Sequence, residues 1–378
     1  MRAATLRPMT ETLESRYPPP AGPPLPLEGI VRLADFEGPA RERLHPTAWA
    51  YYAGGSWDEH SLRDTLDSWS RYRLRPRVLV DVEHVDLRTT LLGREVALPL
   101  GIAPAALHGM AHADGECATA QAAAEAGILQ VVSTVASRSI EDVAATAPDA
   151  PRWFQLYVQR DRGLSRDLVH RAEAAGYQAI ALTVDLPVLG YRDDIARLEF
   201  DPGRQAYANL PRHAVWEGDI DEVLDLRSVG LAWDNLAEIR SWSSLPLVLK
   251  GILTGQDAKL AVEHGAAAVW VSNHGGRQLD RVAAPIDVLG EIVDAVDGRA
   301  EVYLDGGIRR GPDVAIALAM GARAVFTARP FLYALACAGE AGVARALAIL
   351  REEIERTFAL LGVHSAAELG PAHVDPVR

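Results

Sequence analysis

The run Ser272-Asn-His-Gly-Gly-Arg-Gln-Leu-Asp280 sets an imidazole, His274, three positions ahead of a guanidinium, Arg277, inside a glycine-rich turn. An imidazole is the side chain best suited to take up a proton near neutral pH, and a fixed cation beside it suits an anionic group. Residues 267–271, just before the turn, are apolar with two valines and a tryptophan, the pattern of a short buried strand. Gly275 and Gly276 let the chain turn sharply and expose backbone N–H groups. Alone, the segment fits a catalytic loop and a decorated surface turn equally well.

The elements that would position this turn recur along the chain. Apolar runs at 98–103, 129–133, 153–158, 179–184, 245–250, 267–272, 301–305 and 324–327 alternate with helical patterns at 115–126, 140–147, 165–175, 233–242, 256–264, 284–296, 312–320 and 330–361. Continuous rather than alternating hydrophobicity means that both strand faces are buried, as in an all-parallel sheet. Eight such units in about 250 residues predict a (β/α)8 TIM barrel. A doubly wound sheet would need GxGxxG after an early strand, but Gly101 is followed by Ile-Ala-Pro. Helical patterns at 33–44 and 47–52 predict an N-terminal helical extension, and residues 78–92 predict short strands that close the bottom of the barrel. The 193–229 stretch mixes charge, proline and aromatics without a period, which predicts a long loop after strand 4, a lid or disorder.

Residues 1–27 carry Tyr17-Pro-Pro-Pro-Ala-Gly-Pro-Pro-Leu-Pro26, a proline density that predicts a disordered arm ahead of one domain at 28–378. No apolar core follows Arg2 and Arg7, so neither a signal peptide nor a membrane span is expected there. The formal charge of −13 argues against nucleic acid and against an anionic membrane surface, so a small anionic ligand must be held by local cations. Cys117 and Cys337 show no metal-ligand spacing, which predicts no disulfide, no metal site and a reducing, cytoplasmic setting.

Active sites of such barrels lie at the carboxyl ends of the strands. There the sequence places Ala103-Pro104-Ala105-Ala106, Ser133-Thr134, Gln155 and Tyr157, Thr183-Val184-Asp185 with Arg192 beyond, Lys250, then Ser272, His274 and Arg277, Asp305-Gly306-Gly307-Ile308-Arg309, and Ala328-Arg329-Pro330. Asp185 is the natural partner for His274, since a carboxylate orients an imidazole and stabilises its protonated form. Arg192 and Arg277 suit bidentate binding of a substrate carboxylate, and Tyr51 and Tyr157 suit donation to substrate oxygens or simple packing. Lys250 ends an apolar strand and needs a counter-charge; Schiff-base chemistry, an anionic cofactor, and pairing with Asp305 or Asp185 all remain open. Arg309 and Arg329, beside the Gly306-Gly307 pair, occupy the usual phosphate position of this fold.

In order along residues 28–370, the motifs Tyr51-Tyr-Ala-Gly-Gly, Phe154-Gln-Leu-Tyr, Leu182-Thr-Val-Asp, Leu249-Lys-Gly, Ser272-Asn-His-Gly-Gly-Arg-Gln-Leu-Asp and Leu304-Asp-Gly-Gly-Ile-Arg-Arg-Gly resemble those of the FMN-dependent α-hydroxy acid oxidase and dehydrogenase family. The resemblance implies FMN as cofactor and a small (S)-2-hydroxy acid as substrate, oxidised to the 2-oxo acid. It implies His274 as base, Asp185 as its partner, Arg192 and Arg277 as the carboxylate clamp, and Tyr51 and Tyr157 at substrate oxygens. Lys250 would then stabilise the anionic reduced flavin, displacing the Schiff-base option. Ala103, Pro104, Ala105, Ser133, Gln155, Thr183 and Ser272 would surround the ring and ribityl chain, with Asp305, Gly307, Arg309, Ala328 and Arg329 at the ribityl end and phosphate. A homotetramer or octamer is also implied.

The sequence departs from the family pattern in three places. Val135 stands where glycolate oxidase has a tryptophan, implying a wider substrate pocket; Thr327-Ala-Arg-Pro replaces Ile-Gly-Arg-Pro in the phosphate loop; and 193–229 lacks the apolar insert of membrane-attached mandelate dehydrogenases. Alanine at 106 is the residue that accompanies oxidases, which points to O2 as acceptor and H2O2 as product. The alternatives are a dehydrogenase, or a pathway-specific oxidase of a modified amino acid or peptide.

Overall fold

A computed structural model describes residues 12–203, 206–210 and 230–377. Eight parallel strands close a barrel in chain order: β1 (Leu100–Ile102), β2 (Leu129–Ser133), β3 (Arg152–Leu156), β4 (Ile180–Thr183), β5 (Leu247–Ile252), β6 (Ala268–Val271), β7 (Glu301–Asp305) and β8 (Ala324–Thr327). Val325 of β8 pairs with Leu100 of β1 and closes the ring. The surrounding helices are α1 (Glu116–Glu125), α2 (Ile140–Thr146), α3 (Arg162–Ala174), α4 (Leu236–Arg240), α5 (Gly255–Glu263), α6 (Pro285–Val296), α7 (Gly311–Ala319) and α8 (Arg329–Leu361). Helix α8 is long and apolar enough to cross a membrane, but 67% of its most apolar window is buried inside this protein. It also breaks at Ala338-Gly339, where Gly339 (φ +59°) faces His112 too closely for a Cβ.

The barrel interior is filled by Val131, Trp153, Ala181, Val248, Trp270, Tyr303 and Phe326, with Trp270 and Phe326 ring centroids 4.0 Å apart. Large side chains on some strands require small ones on their neighbours. Gly101 meets that need on β1, because a Cβ there would lie 2.2 Å from Phe326 Cε1. Side chains alternate along a strand, so the residue two positions beyond each of these also points inward, at the carboxyl-end mouth. Those residues are Ala103, Ser133, Gln155, Thr183, Lys250, Ser272, Asp305 and Ala328.

Outside the barrel, the predicted extension forms a 3-10 turn (Leu33–Phe36) that runs into helix Glu37–Arg43, then helix Pro46–Ala53. A further helix, His60–Asp67, escaped the sequence reading: it is short and polar apart from Leu62 and Leu66, and the side chains it buries are Ser61 and Thr65. The bottom of the barrel is closed by a hairpin, Thr89–Leu91 with Arg94–Val96, whose Leu91 and Val96 join the interior core. Residues 78–88 form no strand; instead Tyr72–Leu74 pairs antiparallel with Val374–Pro376.

The arm predicted to be disordered is ordered where it is described. Thr12 caps a short helix, Leu13–Arg16, Leu13 and Tyr17 are buried, and Leu25 N donates to Cys337 O at 2.8 Å. The prolines do set an extended backbone, but Pro23 O accepts from Arg43 Nη2 at 3.0 Å, and these side-chain anchors offset the entropy of ordering. Residues 1–11 of that prediction, and 204–205 and 211–229 of the predicted long loop, lie outside the described residues.

Gly101→Ala is expected to overpack the barrel and lower stability by about 1–3 kcal/mol, the usual penalty for an inserted core methyl. Urea denaturation followed by tryptophan fluorescence measures it; an unchanged midpoint would contradict the packing described.

Candidate active site

The inward residues at the strand ends bond to one another around the mouth. Ser133 Oγ donates to Gln155 Oε1 (3.0 Å), and Gln155 Nε2 donates to Thr183 Oγ1 (3.0 Å). Across the barrel, the buried Lys250 ammonium lies 3.0 Å from Asp305 Oδ2 and donates to Ser272 Oγ at 2.8 Å, while Ser272 Oγ donates to Asp305 Oδ1 at 2.7 Å. Of the options open for Lys250, pairing with Asp305 is therefore realised. Its ammonium still faces the cavity above.

His274 sits in the turn after β6 in the left-handed region, φ +58°. Gly276 (φ +73°) lets helix His60–Asp67 pack on that turn, since a Cβ there would lie 2.5 Å from Leu62 N. The same motif holds the helix: Asn273 Nδ2 donates to Thr65 Oγ1 (2.7 Å), and Asp280 accepts from the backbone N–H groups of His60 (3.3 Å) and Ser61 (2.7 Å). A carboxylate at a helix N-terminus satisfies donors that have no partner within the helix. His274 Nδ1 lies 3.0 Å from Asp185 Oδ1, and Nε2 lies 3.4 Å from the Tyr157 hydroxyl. Room for Asp185 comes from Gly251, at a bulge in β5, where a Cβ would lie 2.6 Å from the Asp185 side chain.

Burial, more than any other cause, holds His274 below the ordinary imidazole value; Lys250 and Arg277 add to this, and Asp185 opposes it without prevailing. Burial alone would raise Asp185, but the His274 ring, its hydrogen bond and Lys250 hold the carboxyl below its usual range. The result is an ionised carboxylate accepting from Nδ1 of a neutral imidazole, which leaves the Nε2 lone pair on the Tyr157 side.

Four guanidiniums share the mouth, Arg192 buried and Arg277, Arg309 and Arg329 partly so. Arg277 Nη1 donates to Tyr51 O (2.7 Å) and Gly54 O (2.9 Å), and Arg329 donates to Tyr52 O (3.0 Å) and Gly54 O (3.1 Å). These carbonyls are the negative end of helix Pro46–Ala53. Arg192 and Arg277 lie 5.3 and 5.2 Å from the centroid of the Tyr51 ring. Burial, then repulsion from Arg192 and Arg329, pushes Arg277 down to about 9. Burial and Arg329 likewise lower Arg309. Arg192 Nε is buried with no hydrogen-bond partner among the described residues. Uncompensated buried cations are costly, so this arrangement is built for anions. Gly307 (φ +77°) lets the turn after β7 seat beneath Thr65 O and Trp69, where a Cβ would lie 2.1 Å from that carbonyl.

One cleft, open to solvent, brings the predicted site residues together. Tyr51, Ala103, Pro104, Ala105, Ser133, Val135, Gln155, Tyr157, Thr183, Arg192, Lys250, His274, Arg277, Asp305, Gly307, Arg309, Ala328 and Arg329 all line it. Asp185 and Ser272 do not; they sit behind it, bonded to His274 and Lys250.

Sequence reasoning missed several contributors. Gln278 accepts from Gly190 N (3.1 Å) and donates to the carbonyls of Asp185 and Val188 (both 3.0 Å), stapling the loop that carries Asp185 and Arg192 to the loop that carries His274. Its place in the glycine-rich motif was the available signal. Leu186, Leu189 and Tyr207 also line the cleft. Tyr207 is held beside Val135 by Asn209, which donates to Ser133 O and Thr134 O and accepts from Ile140 N (2.8 Å), and no period in that stretch announces it.

Fold and mouth together define a barrel enzyme with a proton acceptor poised among anion-binding cations. The chain belongs to the FMN-dependent dehydrogenase family, which it matches over residues 40–376. It is 45% identical over 343 residues to 2-hydroxyacid oxidase 2 of Mus musculus, covering 90% of this chain and 97% of that protein. It is 47% identical over 348 residues to an L-lactate oxidase of Nostoc sp., covering 89% of this chain and 95% of that one. Among solved structures, mandelate oxidase with (S)-4-hydroxymandelic acid superposes with a TM-score of 0.87 at 39% identity, covering 92% of this chain and 99% of that chain. FMN is the cofactor of the family, and the donor set fits it: neutral donors and an ammonium ring the mouth, with two partly buried guanidiniums, Arg309 and Arg329, that make no salt bridge to a carboxylate among the described residues.

A proton acceptor must be neutral, so turnover is lost as pH falls through the pKa of His274. Because that pKa is depressed, the acid limb of kcat/KM is expected below the ordinary imidazole value of about 6.5. Asp185→Asn removes the group that raises it, so the limb should move to still lower pH while the rate falls. A pH profile checks both; a limb above 6.5, or one unmoved by the substitution, would contradict the assignment.

Proposed function

We propose that the chain oxidises a free (S)-2-hydroxy acid to the 2-oxo acid, with FMN taking the electrons and O2 reoxidising it to give H2O2. The convergence of His274–Asp185 with Arg192 and Arg277 on one side of the cleft carries this reading. Arg192 and Arg277 bind the carboxylate, and the orphaned Arg192 Nε is a donor in want of an anion. Tyr51 and Tyr157 donate to substrate oxygens. His274 Nε2 takes the proton, and Asp185 stabilises the imidazolium that forms. Bound FMN supplies a two-electron acceptor. Lys250 would face its ring as a cation, with Ser133, Gln155 and Thr183 as neutral partners and Arg309, Arg329 and Gly307 at the phosphate. Ser272 would act by fixing Lys250 and Asp305.

Three lines support O2 as acceptor and a free hydroxy acid as substrate. The relatives are named oxidases of 2-hydroxy acids, L-lactate and glycolate; Ala106 lines the cleft; and the arginine pair recognises a free carboxylate. Val135, Leu186, Leu189 and Tyr207 form an apolar wall suited to a side chain larger than that of glycolate. We place the enzyme in the cytoplasm as a homotetramer or octamer. Two free cysteines agree with a reducing compartment, and the exposed Val78, Leu79 and Leu360 offer an apolar surface for self-association. Sedimentation reads the assembly, and a monomer at micromolar concentration would remove that part.

His274→Ala should remain yellow with bound FMN yet lose flavin reduction by at least ~10²-fold, the usual scale for a lost general base. Anaerobic stopped flow over aliphatic and aromatic 2-hydroxy acids, followed by admission of air, reads reduction, substrate range and O2 reactivity together. Near-normal reduction in the variant would remove His274 from the role, and flavin that stays reduced in air would remove the oxidase assignment.

A further inference from the structure

Residues 12–17 lie outside the stretch that matches the family, yet they close onto the mouth of the barrel. A helix of four residues, Leu13–Arg16, has no stability of its own, so its contacts must hold it. Leu13 is 2% exposed and packs on Gly109 in the loop after β1. Glu14 pairs with Arg138, in the loop after β2, at 3.5 Å. Arg16 pairs with Asp201 in the segment after β4 and donates to its carbonyl at 3.1 Å, while the Tyr17 hydroxyl accepts from Asp201 N at 2.9 Å. Three separate active-face loops are thereby tied to one short segment.

The tie continues inward through rings. Tyr17 stacks on Phe200 (centroids 5.2 Å apart, 27° between planes), and Phe200 stacks on Tyr51 (4.6 Å, 25°). The Tyr51 ring also lies 5.3 and 5.2 Å from the guanidiniums of Arg192 and Arg277. Arg192 opens helix Asp193–Arg197, which leads directly to Phe200, so displacing Phe200 would disturb both Tyr51 and the backbone that carries Arg192.

We propose that residues 13–17 form an intramolecular clasp in which Arg16 and Tyr17 are positioning residues. They fix Phe200, and through it the Tyr51 ring and the Arg192–Arg277 pair, before substrate arrives. The proposal rests on reading Tyr51, Arg192 and Arg277 as the carboxylate-binding group. It also separates two properties. The residues that ring the FMN floor, such as Gln155, Lys250 and Arg309, bond to the barrel and its turns and not to the clasp. Loosening the clasp should therefore weaken substrate binding and leave FMN in place.

The test uses the full-length holoenzyme with Arg16→Asp, Asp201→Arg, the double exchange, Tyr17→Phe and Tyr17→Leu. Each single charge reversal and Tyr17→Leu should raise KM by about tenfold, with kcat and FMN absorbance little changed, as expected when a binding group loses its preset position. The double exchange should recover most of the loss, and Tyr17→Phe, which keeps the stacked ring, should lie close to wild type. Melting temperatures accompany each measurement. Unchanged KM in the single reversals and in Tyr17→Leu overturns the clasp, as does a KM rise that only follows loss of FMN or of stability. Tyr51→Phe and Arg192→Lys serve as controls. If these leave KM unmoved, the reading of the site fails; if they raise it while the arm variants do not, only the clasp fails.

Discussion

Repulsion among buried cations is the constraint on which this mouth depends. Burial first, and then repulsion from a neighbouring guanidinium, lowers Arg277, Arg309 and Arg329, inside a protein whose formal charge is −13. Such a group does not assemble unaided. The fold supplies partial negative charge at the carbonyl end of helix Pro46–Ala53, which accepts from Arg277 and Arg329, and a full carboxylate, Asp305, for Lys250. The helical extension is thus part of the site, because without its carbonyls two guanidiniums would be buried with no acceptor. The remaining deficit of negative charge is what a phosphate and a carboxylate ligand would fill.

That deficit also governs the base. Lys250 and Arg277 help to keep His274 neutral, and hence able to accept a proton, while the same Arg277 faces the position expected for a substrate carboxylate. A carboxylate arriving at Arg192 and Arg277 cancels part of the field that depresses the imidazole, so binding itself raises the affinity of His274 for a proton. Asp185 is placed to stabilise the charge once it forms, held by Gln278 through its own backbone carbonyl. If Arg192 and Arg277 hold the substrate carboxylate as proposed, substrate binding and base strength are coupled through one set of charges.

Much of the site was legible because strand periodicity is simple. An apolar run that ends in Gln155, Thr183, Lys250 or Asp305 must, in a closed barrel, deliver that side chain to the mouth, and the structure puts each of them there. The same rule gives no access to a helix that buries serine and threonine, so His60–Asp67 passed unseen although the catalytic turn leans on it. Proline density misled in residues 12–27: proline fixes an extended backbone but says nothing of whether a leucine, an arginine and a tyrosine nearby find partners far along the chain. Tyr207 and Asn209 are equally opaque, because their contacts are long-range and their local pattern has no period.

The floor and the walls of the cleft follow from different physics. The floor carries two hydrogen-bonded runs, Ser133–Gln155–Thr183 and Lys250–Ser272–Asp305, in which each polar side chain is fixed by its strand and by bonds to its neighbours. Changing one member leaves its neighbours with unmet polar groups, so each run resists variation. The walls are loops held by a few long-range ties: Gln278 to Gly190, Asn209 to Ser133, and Arg16 to Asp201. A tie of that kind can be altered without disturbing a strand, and the first two hold segments whose Leu189, Gln278 and Tyr207 line the cleft. The cleft thus joins a floor fixed by barrel closure to walls whose position depends on a few long-range side-chain contacts.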